Sequence, residues 1–535
     1  MKAIHPVMIA GMFLGLFPGK GESQPPQTAE TPPNIIFILA DDLGYGDIGA
    51  LNPESRIPTP NIDKLAEEGM MFTNAHAPAA VCTPSRYSFL TGRYSWRSDM
   101  KMGVSWIWDP PLIHEDRLTI GDMLQSQGYV TACIGKWHLG WDWPTTDGQP
   151  ATLKSQGLNV DYSMSLGNGP VTRGFNYYFG DDVPSFPPHA FIQNDRLVIQ
   201  PTEWLDPGKA GAPGAMIPGW TYENLLPSIT EKAISFIITQ TENDRQKPFF
   251  LYFAVNAPHT PIAPSAPFKG KTAAGPYGDF VYELDWYTGQ IIKTVDDLGI
   301  SGNTLIIFTS DNGPTNQDGK NYVGKVGSLP EEYGHNSASN LRGIKSDAWE
   351  GGHREPFIVR WPGRIKPGSV SSQLLSLADM MATFAALNEF TIPQNAGEDS
   401  YNMLPVFLGK AESPVRPAMV TQSGNGILAI QEGDWKLIMS SGSGGSWTKP
   451  KGELPFFNAS EQQWQNVQLF NTTEDISEQH DLAAEHPGKV REMVHLLTKY
   501  IKDGRSTPGE PQLNNDPQLW PQVEWSRYKE VKGAR

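Results

Sequence analysis

Asn34–Asp47, NIIFILADDLGYGD, is the stretch whose reading decides the fold. Its first seven residues are a continuous apolar run, the pattern of a strand buried on both faces of a parallel sheet. The run ends in Asp41 and Asp42. In open α/β sheets ligands bind outside the carboxyl ends of the strands, so a polar pair there marks a candidate site. Adjacent carboxylates repel unless a cation or solvent screens them. The pair reads either as hard-cation ligands or as an N-cap and turn.

The same pattern returns along the chain. Tyr129–Ile134 is a second apolar strand, followed by Lys136 and His138; Pro248–Val255 is a third, followed by His259 between two prolines; Asn303–Ser310 is a fourth, followed by Asp311 and Asn312. If the extended chain continues through them, Lys136 and His138 point the same way, an anion anchor beside a proton carrier. The plain alternative is a solvated lysine and a satisfied histidine. A further strand, Pro356–Trp361, follows Lys345. Helical patterns cover Thr59–Gly69, Leu118–Gly128, Leu225–Gln240, Tyr282–Leu298 and Leu374–Leu387, the last carrying Asp379. Strands alternating with helices give an α/β class: a large mixed, mostly parallel sheet sandwiched by helices. After Gln394 the pieces shorten to strands at 426–431 and 435–439 and a helix at 489–503. These predict a smaller C-terminal α+β subdomain with a short antiparallel sheet.

Ala80–Arg93, AVCTPSRYSFLTGR, carries the densest chemistry. Pro84 suits a first helical position, so Ser85–Thr91 is expected as helix. Cys82 then sits at a helix N-terminus, where free N–H groups lower a thiol's pKa and attract an anion. Arg86 stands about one turn on, where its planar fork can hold two oxygens. The segment reads as a nucleophile in an oxyanion pocket, or as a cysteine packed at a helix start.

The chain has 535 residues, enough for two or three domains' worth of core, and its net charge is 42 − 58 = −16. That charge argues against nucleic acid or an anionic lipid surface as partner. Two cysteines cannot build a disulfide framework, and no disulfide is expected. Lys2 and the apolar run Val7–Phe17 fit a secretory signal peptide, too short to span a bilayer. No later run reaches membrane-spanning length, so no membrane anchor is expected. The expected boundaries are a signal peptide at 1–23, a Pro-rich linker at 24–33, a catalytic domain at 34–395, the subdomain at 396–504 and a tail at 505–535. Asn458 and Asn471 match glycosylation acceptors. From Trp141 to Tyr222 runs a long Gly-, Pro- and aromatic-rich section, in which Asp181, Asp182 and His189 are candidate substrate contacts.

CTPSR followed by LTGR, with ADDLGYGD, GKWHLG, TSDNG, LRGIK and EGGHREPFIVRWPG, resembles the motif set of type I sulfatases, over nearly the whole chain after the leader. The resemblance implies an alkaline phosphatase-like fold and an arylsulfatase-like hydrolase of organic sulfates. It implies that Cys82 is oxidised by a formylglycine-generating maturation enzyme to Cα-formylglycine (3-oxoalanine). It also implies one Ca²⁺ bound by Asp41, Asp42, Asp311 and Asn312 with the modified Cys82. Arg86, Lys136, His138, His259 and Lys345 would line the sulfate pocket. Ser185 is a weak match to a polar ligand of that family, whose loop here reads DDVPSFPP. An exported chain with aromatic loops suits a carbohydrate sulfate, in a bacterial periplasm or secreted, hence in glycan degradation. Two other readings stand beside this one: a phosphodiester or phosphonate monoester hydrolase of the same superfamily, and a non-catalytic binder of sulfated glycans.

Overall fold

The structure is a computed structural model that describes residues 32–315 and 328–528. Strand β1, Asn34–Asp41, is buried at every position, as its unbroken apolar run requires. The other strands of its sheet are β2 (Met70–Phe72), β3 (Val130–Gly135), β4 (Tyr177–Gly180), β5 (Ile192–Gln193), β6 (Arg196–Leu197), β7 (Phe249–Pro258), β8 (Thr304–Ser310), β9 (Phe357–Arg360) and β10 (Ser369–Ser371). They join in the order β10-β2-β9-β8-β1-β7-β3-β4-β5-β6. The central strands β8, β1, β7, β3 and β4 run parallel. Antiparallel pairs flank them on both sides. The fold is the expected mostly parallel mixed sheet.

Side chains of β1 alternate between two cores. Ile35, Phe37 and Leu39 face the helices α2 (Cys82–Thr91), α3 (Ile120–Ser126) and α6 (Met380–Leu387). Ile36, Ile38 and Ala40 face α1 (Pro60–Glu67), α4 (Leu225–Asn243) and α5 (Gly275–Asp297). Helix α2 is buried along its whole length, and its Phe89 stacks on Phe37 with ring centroids 4.1 Å apart. That stack locks the helix to the central strand.

Three helix expectations shift. Helix α2 starts at Cys82, so Pro84 is its third residue, a position whose N–H has no intrahelical acceptor in any case. Helix α5 starts at Gly275, seven residues before Tyr282, because Pro276 enters its first turn rather than ending a loop. Leu374–Leu387 is not one helix. Leu375–Ser376 pairs as a strand with Ala75–His76, and α6 begins only at Met380. The reason is local: Asp379 Oδ2 accepts the Ser376 N–H at 2.8 Å and Ser376 Oγ accepts from Ala378, a capping box that starts the helical chain only after Ser376, as a 3-10 turn over Leu377–Asp379 leading into α6.

A separate antiparallel sheet follows, from β11 (Ala418–Gln422), β12 (Leu428–Glu432), β13 (Trp435–Ile438) and β14 (Gln468–Asn471), joined in that order. Helix α7 (Pro487–Asp503) shares its core, as do Tyr94 and Trp96 from the chain just after α2. Buried ion pairs tie the segments around the two sheets: Arg97 to Asp399 at 2.8 Å, Arg416 to Asp379 at 2.5 Å, and Lys436 to Glu350 at 2.8 Å. Both cysteines are free and buried. Among the described residues no helix is long and apolar enough to cross a membrane. The expected signal peptide lies outside the described residues.

Arg416 is wholly buried, and Asp379 is its ionic partner. Removing one partner strands the other charge, so Asp379→Ala should lower the unfolding free energy by about 3–5 kcal/mol, read from a denaturant titration. A loss under about 1 kcal/mol would mean that the pair does not hold the sheets together.

Candidate active site

The carboxyl ends of four neighbouring parallel strands and the start of α2 meet at one buried cluster. β1 delivers Asp41 and Asp42, β3 leads into Lys136 and His138, β7 into His259, and β8 into Asp311 and Asn312. Asp41, Cys82 and Asp311 bring potential ligand atoms within 4.8 Å of one another, and so do Asp41, Asp42 and His259. Lys136 Nζ lies 2.7 Å from Asp41 Oδ2, and Arg86 Nη2 lies 2.7 Å from Asp311 Oδ2, with no exposure of any of these side chains. Arg86 Nε also donates to Asp311 at 2.9 Å, and its Nη1 to the Lys136 carbonyl at 3.1 Å. Asp42 Oδ1 accepts from Lys345 Nζ and, at 2.7 Å, from Asn312 Nδ2. His259 Nε2 stands 3.8 Å from Asp42 Oδ2.

The electrostatics follow from this packing. Burial pushes the Asp41 carboxyl up, but Lys136, His259, Arg86 and Lys345 together hold it far below the usual range. Lys345 is held protonated against its burial by Asp42 and its acidic neighbours. Burial, with Lys136 beside it, takes His138 down to about 3, and burial takes His259 down to about 4 despite Asp41 and Asp42. Both imidazoles are therefore neutral at pH 7. His138 Nε2 is 2.9 Å from the Ser105 carbonyl and so carries the proton, while its Nδ1 has no hydrogen-bond partner among the described residues.

Lys136 and His138 do not lie on one extended strand. β3 ends at Gly135, whose φ is +110°, and His138 is left-handed at φ +57°. A Cβ on Gly135 would sit 2.0 Å from the Ala254 carbonyl oxygen, so only glycine lets the chain turn here. The turn sends Lys136 to Asp41 and His138 toward Ser105. Asp42 is also left-handed, at φ +65°.

The cluster has supports that leave little mark in the sequence. Asp47 accepts from Tyr277 Oη at 2.6 Å and the Gly44 N–H at 2.8 Å, and His335 Nε2 lies 2.7 Å from its other oxygen. Ser310 Oγ accepts the Leu43 N–H at 3.0 Å. Thr83 Oγ1 accepts the Ser105 N–H at 3.1 Å. Only Asp47, closing the acidic motif, carried a signal in the sequence.

The four candidate substrate contacts separate. Asp182 Oδ1 accepts the His138 N–H at 3.1 Å and Trp141 Nε1 at 3.2 Å. Asp181 is buried, its electrostatic neighbours include Lys136 and Asp41, and burial raises its carboxyl to about 7. His189 spends both ring nitrogens within its loop, on the Ala212 carbonyl and Tyr222 Oη. Ser185 offers its carbonyl to Ala212 N–H in the same loop.

Asp41 Oδ1 and Asn312 Oδ1 are buried without hydrogen-bond partners among the described residues. Hard oxygen atoms left open in this way suit a hard cation. A second group, His76, Glu350 and His353, also brings ligand atoms together. There Lys436 and Arg354 already occupy the Glu350 carboxylate, at 2.8 and 2.6 Å, so it serves as an internal ion pair.

Residues 33–389 match the family model described as Sulfatase. N-acetylgalactosamine-6-O-sulfatase of Bacteroides thetaiotaomicron is 35% identical over 499 residues, covering 87% of this chain and 92% of that protein. N-acetylgalactosamine-6-sulfatase of Mus musculus is 31% identical, covering 91% and 89%. A structure solved in work on glycosaminoglycan metabolism by Bacteroides thetaiotaomicron superposes with TM-score 0.74 at 33% identity, over 88% of this chain and 99% of that one. With the family model matched over most of the chain and relatives matched almost end to end, the chain belongs to the sulfatase family and is a sulfatase.

Proposed function

We propose that this sulfatase hydrolyses a carbohydrate sulfate ester, with Cys82 acting after conversion to formylglycine and one Ca²⁺ held by Asp41, Asp42, Asp311, Asn312 and the modified Cys82. The observation that carries the reading is the meeting of Cys82 with three carboxylates and three fixed cations in one buried cluster. Asp41, Asp42 and Asp311 balance Arg86, Lys136 and Lys345. A divalent cation added to a balanced cluster leaves it positive, and an anionic ester compensates that charge. The names of the relatives make a 6-sulfated N-acetylgalactosamine the first substrate to test.

A calcium ion held by these residues would supply fixed positive charge against the negative charge that develops in the reaction. Formylglycine at position 82, once hydrated, would supply two hydroxyls on one carbon, one as nucleophile and one whose deprotonation would release sulfate. The protein's own groups do the rest. Arg86 and Lys136 fix the carboxylates, and with Lys345 they orient the anion. Burial and the adjacent Asp41 charge raise the proton affinity of Asp311, which suits it to take the attacking hydroxyl's proton. The departing alcohol receives a proton from Lys345, already protonated, or from His259 after that neutral imidazole has taken one up. His138 takes the second hydroxyl's proton at Nδ1, the nitrogen that Ser105 leaves free.

We also propose that the chain is exported to a periplasm or medium, with 1–23 as its signal peptide, 34–395 as catalytic domain and 396–504 as subdomain. Mass spectrometry of the peptide containing Cys82 tests the modification directly: protein made with a maturation enzyme should carry an aldehyde there in place of the thiol.

Cys82→Ala should reduce sulfate release by at least about a thousandfold while the protein stays folded, with its unfolding midpoint in chelator unchanged. Turnover retained in that variant would remove the nucleophile assignment. Excess chelator should suppress turnover and lower the melting temperature, both restored by added Ca²⁺, because an ion bound only to the folded state stabilises it. An unchanged melting temperature would count against the calcium site.

A further inference from the structure

Most large aromatic side chains near the cluster are buried, Trp137 and Trp141 among them, but Trp106 is 55% exposed. It is nevertheless held in place. Its N–H donates to Asp109 Oδ2 at 2.7 Å, and its indole stacks on Phe186 with centroids 5.9 Å apart and planes 22° apart. Phe186 in turn meets His138 edge-on, at 6.2 Å and 86°. The residue before Trp106 is Ser105, whose carbonyl holds His138 and whose N–H is held by Thr83, next to Cys82. An open indole face is therefore fixed one residue from backbone that touches both the nucleophile's helix and His138.

The loop from Asp181 to Phe186 also packs on His138. Asp182 binds its backbone N–H, and Phe186 packs on its ring. Asp181 heads this loop with only 3% exposure, and among the described residues neither of its oxygens has a side-chain or backbone donor outside the residue itself. A buried carboxylate with no donor calls for one from a ligand. A sugar ring presents an apolar C–H face and an edge of hydroxyl donors, which these two features match.

We propose that Trp106 and the Asp181–Phe186 loop form a saccharide subsite beside the sulfate cluster, the indole stacking on the sugar ring and Asp181 accepting hydrogen bonds from its hydroxyls. The proposal rests on the carbohydrate sulfatase reading above. It makes Trp106 and Asp181 specificity-determining residues, separate from the groups that hold sulfate.

Binding to Cys82→Ala protein tests it without turnover. Calorimetry with Ca²⁺ present uses two probes, N-acetylgalactosamine 6-sulfate and inorganic sulfate. Adding Trp106→Ala should weaken the saccharide about tenfold and inorganic sulfate less than about twofold, with Trp106→Phe restoring most of the saccharide affinity. Asp181→Asn should also weaken the saccharide about tenfold without weakening sulfate. Equal weakening of both probes, no weakening of the saccharide, or no saccharide binding at all overturns the subsite. Should the mature enzyme release no sulfate from any ester while these affinities behave as stated, the hydrolase reading falls and the subsite stands.

Discussion

Lys136 and Arg86 have no solvent exposure, and each is balanced by a carboxylate 2.7 Å away, Asp41 and Asp311 respectively. Burying either ion alone is expensive, and replacing such pairs with apolar residues is often neutral or stabilising. Their presence at the carboxyl ends of four adjacent strands is thus not explained by stability. The surrounding fold is best understood as the frame that makes this cluster tolerable. Parallel strands bring the charges to one level, and helix α2 supplies Arg86 from below while placing Cys82 at its own N-terminus.

That frame is stiff for identifiable reasons. Every residue of α2 is buried, and Phe89 keys into Phe37 on the central strand, so Cys82 has little freedom to move relative to Asp41. The acidic loop after β1 is tied by Asp47 to Tyr277 and His335 and by Ser310 to Leu43. These ties replace the helical or sheet hydrogen bonds that a sharply turning backbone forgoes. They also keep Asp42 in its left-handed conformation, which sends its carboxylate toward Asn312 and Lys345.

The central strands were legible because burial on both faces writes an uninterrupted apolar run, and the residues after each run were legible because polar chemistry there has few structural uses. Boundaries and directions were less so. Gly275-Pro276 looks like a break, yet proline in a first turn starts a helix as readily as it ends one. Leu374–Leu387 has helical composition, but the Ser376–Asp379 cap delays the start of the helical chain until Leu377 and leaves Leu375–Ser376 to pair as a strand. The two-residue spacing of Lys136 and His138 implied a shared face, and one positive φ at Gly135 removed it. Trp106 was invisible among sixteen tryptophans, since sequence gives no measure of which indole stays exposed.

Ser105 links these levels. Its carbonyl fixes the Nε2 proton of His138 and so leaves Nδ1 as the basic nitrogen, while its N–H is anchored to Thr83 beside Cys82. The separation between the proposed base and the proposed nucleophile is therefore set by one backbone unit rather than by two independent side chains. Trp106 extends from the same unit and leans on Phe186, which packs against the same imidazole. In the proposed subsite, a sugar ring on the indole would rest on the same aromatic pair that packs against the base. On that proposal, recognition of the saccharide and placement of the proton acceptor would share one support, a physical reason for the Asp181–Phe186 loop to pack on His138.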